Sequence, residues 1–413
     1  MRERTVCGLD VGTSKTCAVI AEIAGDLPRT PVAKILGVGR AKTTGVRRGV
    51  VRDIDETMRS IVKAVADAER MAGTQVDSVW VGVAGEHVRA IPSPGVVAVN
   101  NEIRAADVER VIDVARAVVL PPDSEILHTI PQEFLVDRQR GISDPVGMTG
   151  TRLEVDVFIV TMSSSAATNL RRAVERAGYH VAGFVLEPLA ASYATVTEDE
   201  RELGVALVEL GAGSSDLAIF QDGKFRHLAT FGFAGAHVTS DIAQGLSVTQ
   251  AEAERLKERH GFAFQPLVDP TEMIELPGTP GQGPREAPRE FLAHVIHQRL
   301  DEVLRNVGRE IERTGFLGKL ASGVVLTGGT AQLAGIVELA REVLAMPVRI
   351  GVPGQSLTGS LIDAVEQPRF STATGLALYG MRQMAAGAAQ AGARQVNLDR
   401  VVGSVRRWLT DFF

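Results

Sequence analysis

The chain has only two cysteines in 413 residues, no long apolar run and no strong excess of charge of either sign. Each scarcity excludes something. Cys7 and Cys17 have neither metal-ligand spacing nor the multiple pairs of a secreted disulfide scaffold, so they read as small buried hydrophobes. A net charge of −6 leaves no broad basic field, and nucleic acid is not expected as a partner. Met1-Arg2-Glu3-Arg4 leads into an apolar run already broken at Asp10, too short for a signal peptide. The uncharged stretch Ala321 to Val337 is full of Gly and Thr and does not read as a membrane span. A cytoplasmic protein is expected. What is present is 45 % hydrophobic content over a length that holds two to four compact units.

Residues 6 to 20 carry the first chemical pattern. An apolar run, Val6 to Leu9, ends in Asp10; Gly12, Thr13 and Ser14 turn, and Cys17 to Ile20 runs on as a second strand. Such a tip gathers backbone N–H groups, two hydroxyls and the Lys15 ammonium beside a fixed carboxylate. Gly12 lets backbone approach an anion closely, and successive N–H groups around a turn form an anion nest. Asp10 repels phosphate, so its expected task is to orient a hydrated Mg²⁺. An ordinary hairpin would show the same short pattern. A second copy decides between them. Val205 to Leu210, then Gly211, Gly213, Ser214, Ser215 and Asp216, repeats apolar strand, acid-x-Gly and hydroxyl-rich turn, with Glu209-x-Gly211 matching Asp10-x-Gly12. Two related lobes facing one cleft are expected. The pair of hairpins resembles the actin, Hsp70 and sugar-kinase superfamily.

Val32 to Val38 reads as a strand, and Gly45, Arg47, Arg48 and Gly49 mark a turn. Asp53 to Ala72 has helical periodicity, with Ile54, Met58, Ile61, Val62, Val65, Ala68 and Met71 on one face. Val79 to Ala84 is a buried-type strand, which completes a β–β–β–α–β order. Residues 85 to 162 break that order with a strand at Val96 to Val99, a helix at Ala105 to Val118, a strand within Glu125 to Asp137, a loop to Gly150 and a strand at Leu153 to Thr161. This reads as an inserted strand–helix–strand–strand unit. His128 has no Cys or acidic cluster beside it and reads as structural. Ile126-Leu127-His128, Ile130-Pro131-Gln132-Glu133, Asp144-Pro145-Val146-Gly147-Met148 and Arg152-Leu153-Glu154-Val155 resemble the FtsA family of bacterial actin-like cell-division proteins. That family carries an inserted subdomain, 1C, at this place, and the resemblance runs nearly the full length of the chain.

Further on, Ser164 to Ala177 reads as a helix and Val181 to Leu186 as a strand, and Glu187 opens a helix with Pro188 in its first turn. By resemblance this segment crosses between lobes and Glu187 faces the water near the terminal phosphate; a charge favoured at a helix N-terminus explains it equally. Glycines around Gly235 lead into a helix start suited to phosphate or ribose. In the helix Thr249 to His260, resemblance puts Glu254 and Lys257 towards the nucleoside, while a solvated face explains them equally. Pro266 to Pro288 reads as an irregular exposed loop, and Glu290 to Thr314 as a long amphipathic helix. A buried strand then ends in Gly328-Gly329, whose lack of side chains allows flat approach of an adenine ring, with Thr330 at the following helix start. Ala385 to Gly392 reads as a flexible linker. In Leu398 to Phe413, Val405, Trp408, Leu409, Phe412 and Phe413 recur at helical spacing, with Arg400, Arg406 and Arg407 off the stripe. At about 1.5 Å per residue this helix spans only about 24 Å, so it is expected to lie in a membrane surface and not to cross it. It also resembles the family's membrane-targeting tail.

The expected fold is α/β: an actin-like two-lobed fold of two ribonuclease-H-like domains, with an SHS2-like 1C insertion and a C-terminal amphipathic helix. The expected division is 1–84 (1A), 85–162 (1C), 163–200 (rest of 1A and connection), 201–240 (2A), 241–315 (2B), 316–360 (2A), 361–384 (return helix), 385–397 (linker) and 398–413 (membrane helix). The resemblance implies ATP and Mg as cofactors, held by Asp10, Gly12, Thr13, Ser14, Lys15, Gly211, Gly213, Ser214, Ser215, Gly235, Glu254, Lys257, Gly328, Gly329 and Thr330. Glu187, Glu209 and Asp216 would do the chemistry, and Asp10 would hold Mg through water. It implies filaments on the cytoplasmic membrane at the division septum, anionic lipid bound through 398–413, the FtsZ C-terminal peptide on the 2B side and other divisome proteins on the 1C side. Glu209 and Ala212 depart from the family's usual Asp and Gly, so weak or no ATPase activity is expected. The alternatives are a sugar or acid kinase of the same superfamily, which has no use for such a tail, and a pilus-assembly actin-like ATP-binding protein.

Overall fold

The computed structural model describes residues 5–24, 32–278, 283–354 and 356–393. The end of the expected linker and the whole expected membrane helix, with Val405, Trp408, Leu409, Phe412 and Phe413, lie outside the described residues. Among the described residues no helix is long and apolar enough to cross a membrane.

The chain opens with β1 (Thr5–Val11), β2 (Lys15–Ala24) and β3 (Val32–Lys42), an antiparallel meander. A short hairpin, β4 (Val46–Arg47) and β5 (Val50–Val51), leads into α1 (Ile54–Ala72). The Asp53 carboxylate caps α1 by accepting the Glu56 N–H at 2.9 Å, and Ile61, Ala64, Val65 and Ala68 are its buried stripe. β6 (Ser78–Val83) then returns parallel to β1. The insertion follows as β7 (Arg89–Glu102), α2 (Ala105–Arg116), β8 (Ser124–Val136), β9 (Gln139–Ile142) and β10 (Thr149–Ser163). These strands form a separate antiparallel sheet in the order β7-β10-β8-β9, with a core that includes Val108, Val111, Phe134, Leu153 and Ile159. One strand more is present than expected. Asp137 and Arg138 both take positive φ, 47° and 74°, which closes a tight hairpin and turns part of the expected loop into β9.

α3 (Ser164–Arg176) and β11 (His180–Leu186) extend the first lobe, and α4 (Glu187–Thr195) and α5 (Glu198–Leu203) lead to the second. There β12 (Val205–Leu210), β13 (Ser215–Gln221) and β14 (Lys224–Phe231) again form an antiparallel meander. α6 (Gly235–Gly245), α7 (Gln250–His260), β15 (Met273–Leu276), β16 (Arg285–Pro288) and α8 (Arg289–Arg313) follow. Next come β17 (Val324–Thr327), α9 (Ile336–Leu344), β18 (Val348–Ile350), β19 (Leu357–Thr358), α10 (Ile362–Val365) and α11 (Ser371–Ala393). The first sheet runs β11-β6-β1-β2-β3-β19 and the second β14-β13-β12-β17-β18. Each has a three-stranded meander extended by two parallel strands beyond its first strand, the first sheet adding β19 parallel to β3 at its other edge, so the sequence repeat is a repeat of architecture.

Two stretches differ from expectation. Within Pro266 to Pro288, Met273–Leu276 pairs with Arg285–Pro288, because Ile274 and Leu276 alternate inward onto the second lobe's core beneath the Pro/Gly punctuation. α11 continues through Ala385 to Ala393, where alanine, the strongest helix former, lets the helix run on into the residues expected as linker. Phe134 is fully buried at the centre of the inserted sheet. Phe134→Ala should cost about 3–5 kcal/mol in urea unfolding followed by circular dichroism. An unchanged midpoint would show that the insertion has no core of this kind.

Candidate functional site

The two hairpins that join β1 to β2 and β12 to β13 are built alike. The Gly12 N–H donates to the Lys15 carbonyl at 3.0 Å, and the Gly211 N–H to the Ser214 carbonyl at 3.1 Å. Asp10 and Glu209 are each the penultimate residue of their strand, paired across to Cys17 and Asp216. The tips meet across the lobes: a Cβ on Gly213 would strike the Thr13 hydroxyl and stand 3.1 Å from the Arg48 Cα. At Gly12 a Cβ would stand 3.1 Å from the Lys15 carbonyl oxygen and 3.5 Å from Asp10 Oδ1, so any larger side chain crowds the tip. Ser14 is exposed there.

Four carboxyl groups gather behind these tips. Asp10, 5 % exposed, pairs with Lys15 at 3.1 Å, and Lys15 also donates to the Arg369 carbonyl at 2.8 Å. Burial works against the Lys15 ammonium, yet Asp10 holds its pKa above the usual value. The Thr372 hydroxyl donates to Glu209 Oε1, while Oε2 is buried with no partner among the described residues. Burial pushes the Glu209 pKa up to about 8 despite Thr372, helped by the charges of Asp10 and Asp216. Asp216 accepts from the Ser214 hydroxyl at 3.1 Å and the Thr230 hydroxyl at 2.6 Å, and burial still lifts it to about 6. Glu187, at the start of α4, is held well above the carboxylate range by burial and then by Asp10, Glu209 and Asp216. Among the described residues, no three His, Cys, Asp or Glu side chains are arranged to hold a metal ion directly.

The second lobe's side of the site is tied together through Gly211. Its carbonyl accepts from the Gly235 N–H at 3.1 Å and the Thr330 hydroxyl at 2.7 Å, and the Ala236 N–H reaches the Ala212 carbonyl at 2.9 Å. The Gly328 N–H donates to the Pro368 carbonyl, and the Cα of Gly329 faces open space. Three of the expected side chains, Lys257, Glu254 and Ser215, bond within the protein. Lys257 is buried and donates to the Gly235 carbonyl (3.1 Å), Thr239 (2.8 Å) and Glu254 (2.7 Å), so it braces the α6 start and has no proton left for a ligand. Glu254 is held in the same cluster by the Thr239 hydroxyl. The Ser215 hydroxyl is buried and donates to the Phe233 carbonyl at 2.6 Å, because alternation along β13 turns it away from Asp216. His128, buried and lowered by burial to about 4, accepts the Leu186 N–H at 3.0 Å just before Glu187 and is structural. Cys7 and Cys17 are free and buried.

Sequence reading missed Thr372, the Arg369 carbonyl and Thr230. Thr230 stands opposite Asp216 in the β13–β14 ladder and is legible once β14 is recognised. Nothing in spacing links residues 369 and 372 to the hairpins.

Twin sheets of this build, meeting at paired acid-x-Gly hairpins, define an actin-like protein. The fold is similar to that of a PilM–PilN type IV pilus biogenesis complex (TM-score 0.65, 16 % identity, 91 % of this chain and 98 % of that one). It is also similar to MreB5 of Spiroplasma citri bound to ADP (0.56, 14 %, 93 % and 98 %) and to the MamK double helical filament (0.50, 15 %, 91 % and 98 %). The family described as Cell division protein FtsA matches residues 206–375, and the SHS2 domain inserted in FTSA matches residues 85–161. The chain is 42 % identical to Cell division protein FtsA of Pseudomonas aeruginosa over 93 % of its length and 91 % of that protein. It is 37 % identical to that of Escherichia coli K12 over 98 % and 96 %. The chain belongs to the FtsA family of actin-like cell-division proteins.

The raised Glu209 carboxyl has a consequence for stability. It holds its proton more tightly folded than unfolded, so its contribution is complete below its ordinary value of 4.5 and is lost as pH rises towards about 8. The thermal midpoint of the ligand-free protein should therefore fall between pH 5 and pH 8. Glu209→Gln, which carries no charge, should flatten that fall; a variant with the wild-type slope would assign the pH dependence elsewhere.

Proposed function

We propose that this chain binds Mg-ATP between its lobes, polymerises on the cytoplasmic face of the membrane and tethers the FtsZ ring there during septum assembly. One observation carries the nucleotide reading: two N–H-lined turns meet tip to tip in front of buried acids, one of which, Glu209, keeps an oxygen without a partner. An orphaned carboxylate oxygen near Asp10 suits the water shell of a hydrated cation. Asp10 and Glu209 would hold that shell, and Gly12, Thr13, Gly211, Gly213 and Ser214 the phosphates. Gly329, flanked by Gly328 and Thr330, leaves room for the base. Bound Mg would supply charge neutralisation at the phosphates. Asp216 and Glu187 would position water.

Hydrolysis should be weak. Glu209 is one methylene longer than the family's usual Asp and is tied to Thr372. Misplacement by about 1 Å can cost roughly 10²-fold in rate. The kinase alternative has no support from the family assignment. The membrane reading rests on the apolar stripe of Leu398 to Phe413, with each large side chain contributing about 1.5–3 kcal/mol on burial before ordering costs. One such helix is a weak anchor, and a filament would multiply it. A head-to-tail contact that does not close into a ring yields such a filament. The 2B side would take the FtsZ C-terminal peptide, and the 1C side other divisome proteins.

Gly12→Val would put a branched side chain at the phosphate tip. Calorimetry with ATP should show at least a tenfold loss of affinity, roughly 1.4 kcal/mol, and wild-type phosphate release should stay well below the ~10 s⁻¹ of a typical enzyme. Equal affinities would remove the site assignment, and fast release would restore the kinase reading. Trp408→Glu should abolish co-sedimentation with anionic liposomes while ATP binding persists. If that variant pellets with lipid as well as wild type does, the tail is not the anchor.

A further inference from the structure

Beside the hairpin tips lies an open pocket of about 460 Å³, lined by Arg47, Arg48, Val50, Arg52, Glu86 and His87. It is distinct from the acids behind the tips, and its character is the reverse of theirs. The three arginines are exposed, and among the described residues none has an ion pair or a side-chain hydrogen bond. The lining carboxylate, Glu86, lies against the second lobe instead, where a Cβ on Gly232 would stand 2.6 Å from its Oε1. His87 adds a buried Nδ1 with no partner among the described residues. Three guanidinium groups around one concavity repel one another unless an anion is shared between them.

The turn that presents them is unusual. Arg47 pairs with Val50, and the two residues between them, Arg48 and Gly49, both have positive φ, 50° and 74°. Such a turn favours Asn, Asp or Gly at its first central position. Here an arginine occupies it, in a backbone region that L side chains adopt at a cost, and strain of this kind collects at ligand clamps. Gly49 beneath it is irreplaceable for packing, since a Cβ would overlap the Ala84 carbonyl. The turn is thus pressed onto the loop carrying Glu86 and His87. The Arg48 backbone also meets Gly213 of the other lobe.

We propose that this pocket is a second anion site, which takes a phosphate-class oxyanion at the seam between the lobes. Forked guanidinium donors match the paired oxygens of such an ion. The pocket has a single apolar lining residue, Val50, and so offers little to apolar side chains. Because Arg48 and Glu86 each stand against the second lobe, occupancy would be sensitive to how closely the lobes meet. The site does not depend on the nucleotide reading.

The test is titration of inorganic phosphate into the full chain at low salt, followed by calorimetry, alone and with saturating AMPPNP. Wild type should bind phosphate in both conditions. Arg47→Ala/Arg52→Ala should weaken phosphate about tenfold or more and leave AMPPNP affinity within about twofold. Arg48→Gly should weaken phosphate while leaving the thermal midpoint equal or higher, since it relieves the strained φ; a merely structural arginine would not behave so. The proposal is overturned if wild type binds no phosphate at millimolar concentration, or if the double variant binds it as well as wild type does. Loss of phosphate binding in AMPPNP, or a parallel loss of AMPPNP affinity in the double variant, would make these arginines part of the nucleotide site and likewise overturn it.

Discussion

The structure depends on holding four carboxyl groups, Asp10, Glu187, Glu209 and Asp216, behind two touching turns with one ammonium, Lys15, in direct contact with one of them. Burial raises the cost of every negative charge and lifts Asp216, and at Glu209 and Glu187 the neighbouring acids add to it, so all three shift towards the protonated form. Hydroxyls from Thr372, Thr230 and Ser214 offset part of that cost but leave Glu209 Oε2 without a partner. Such a site reaches neutrality either by keeping protons at neutral pH or by taking up positive charge from outside. A hydrated dication between phosphate and carboxylates is the second route, and it fits the proposed nucleotide better than protonation does.

Duplication explains why the acids converge. Each lobe repeats one meander with an acid at the penultimate position of its first strand, and each turn closes with the same N–H-to-carbonyl bond across acid-x-Gly-x-x-x. The copies have diverged in what they do with the acid. Asp10 is matched by a lysine within its own hairpin, whereas Glu209 is reached by Thr372 from another part of the chain. The longer side chain of Glu209 therefore meets a partner that no local pattern announces.

That difference marks what was legible in the sequence. Strands and helices whose period is carried by their own residues could be read directly: Asp53 with the stripe of α1, the apolar run into Asp10, and the Gly328-Gly329 stop after β17. The insertion was legible because its residues interrupt a regular order. Short elements were hidden by punctuation or composition. The β15–β16 ladder lies among prolines and glycines and is fixed by Ile274 and Leu276 meeting the second lobe's core; the alanine-rich stretch continues α11. For the site, residue types at the turns were legible, but hydrogen-bond saturation was not. Only the folded chain reveals that Lys257 gives all its protons within its lobe and that Ser215 turns to the Phe233 carbonyl.

The residues at the start of α11 connect the two halves of the site. The Pro368 carbonyl accepts the Gly328 N–H at 3.2 Å and the Thr327 hydroxyl at 3.3 Å, so this segment is fastened to β17 of the second lobe. Ser371 reinforces it, its hydroxyl 2.7 Å from that of Thr327. One residue after Pro368, the Arg369 carbonyl receives the Lys15 ammonium of the first lobe, and three further on Thr372 caps Glu209 of the second. The rest of α11 packs on β1 and α4, where a Cβ on Gly375 would overlap the Ala190 carbonyl. Five consecutive residues thus hold the base of both hairpins. A change of charge at Glu209 alters its bond to Thr372, and the same rigid helix start carries the carbonyl that positions Lys15 against Asp10. The two hairpins thus share one support, which reaches Lys15 through a carbonyl and Glu209 through a hydroxyl three residues later.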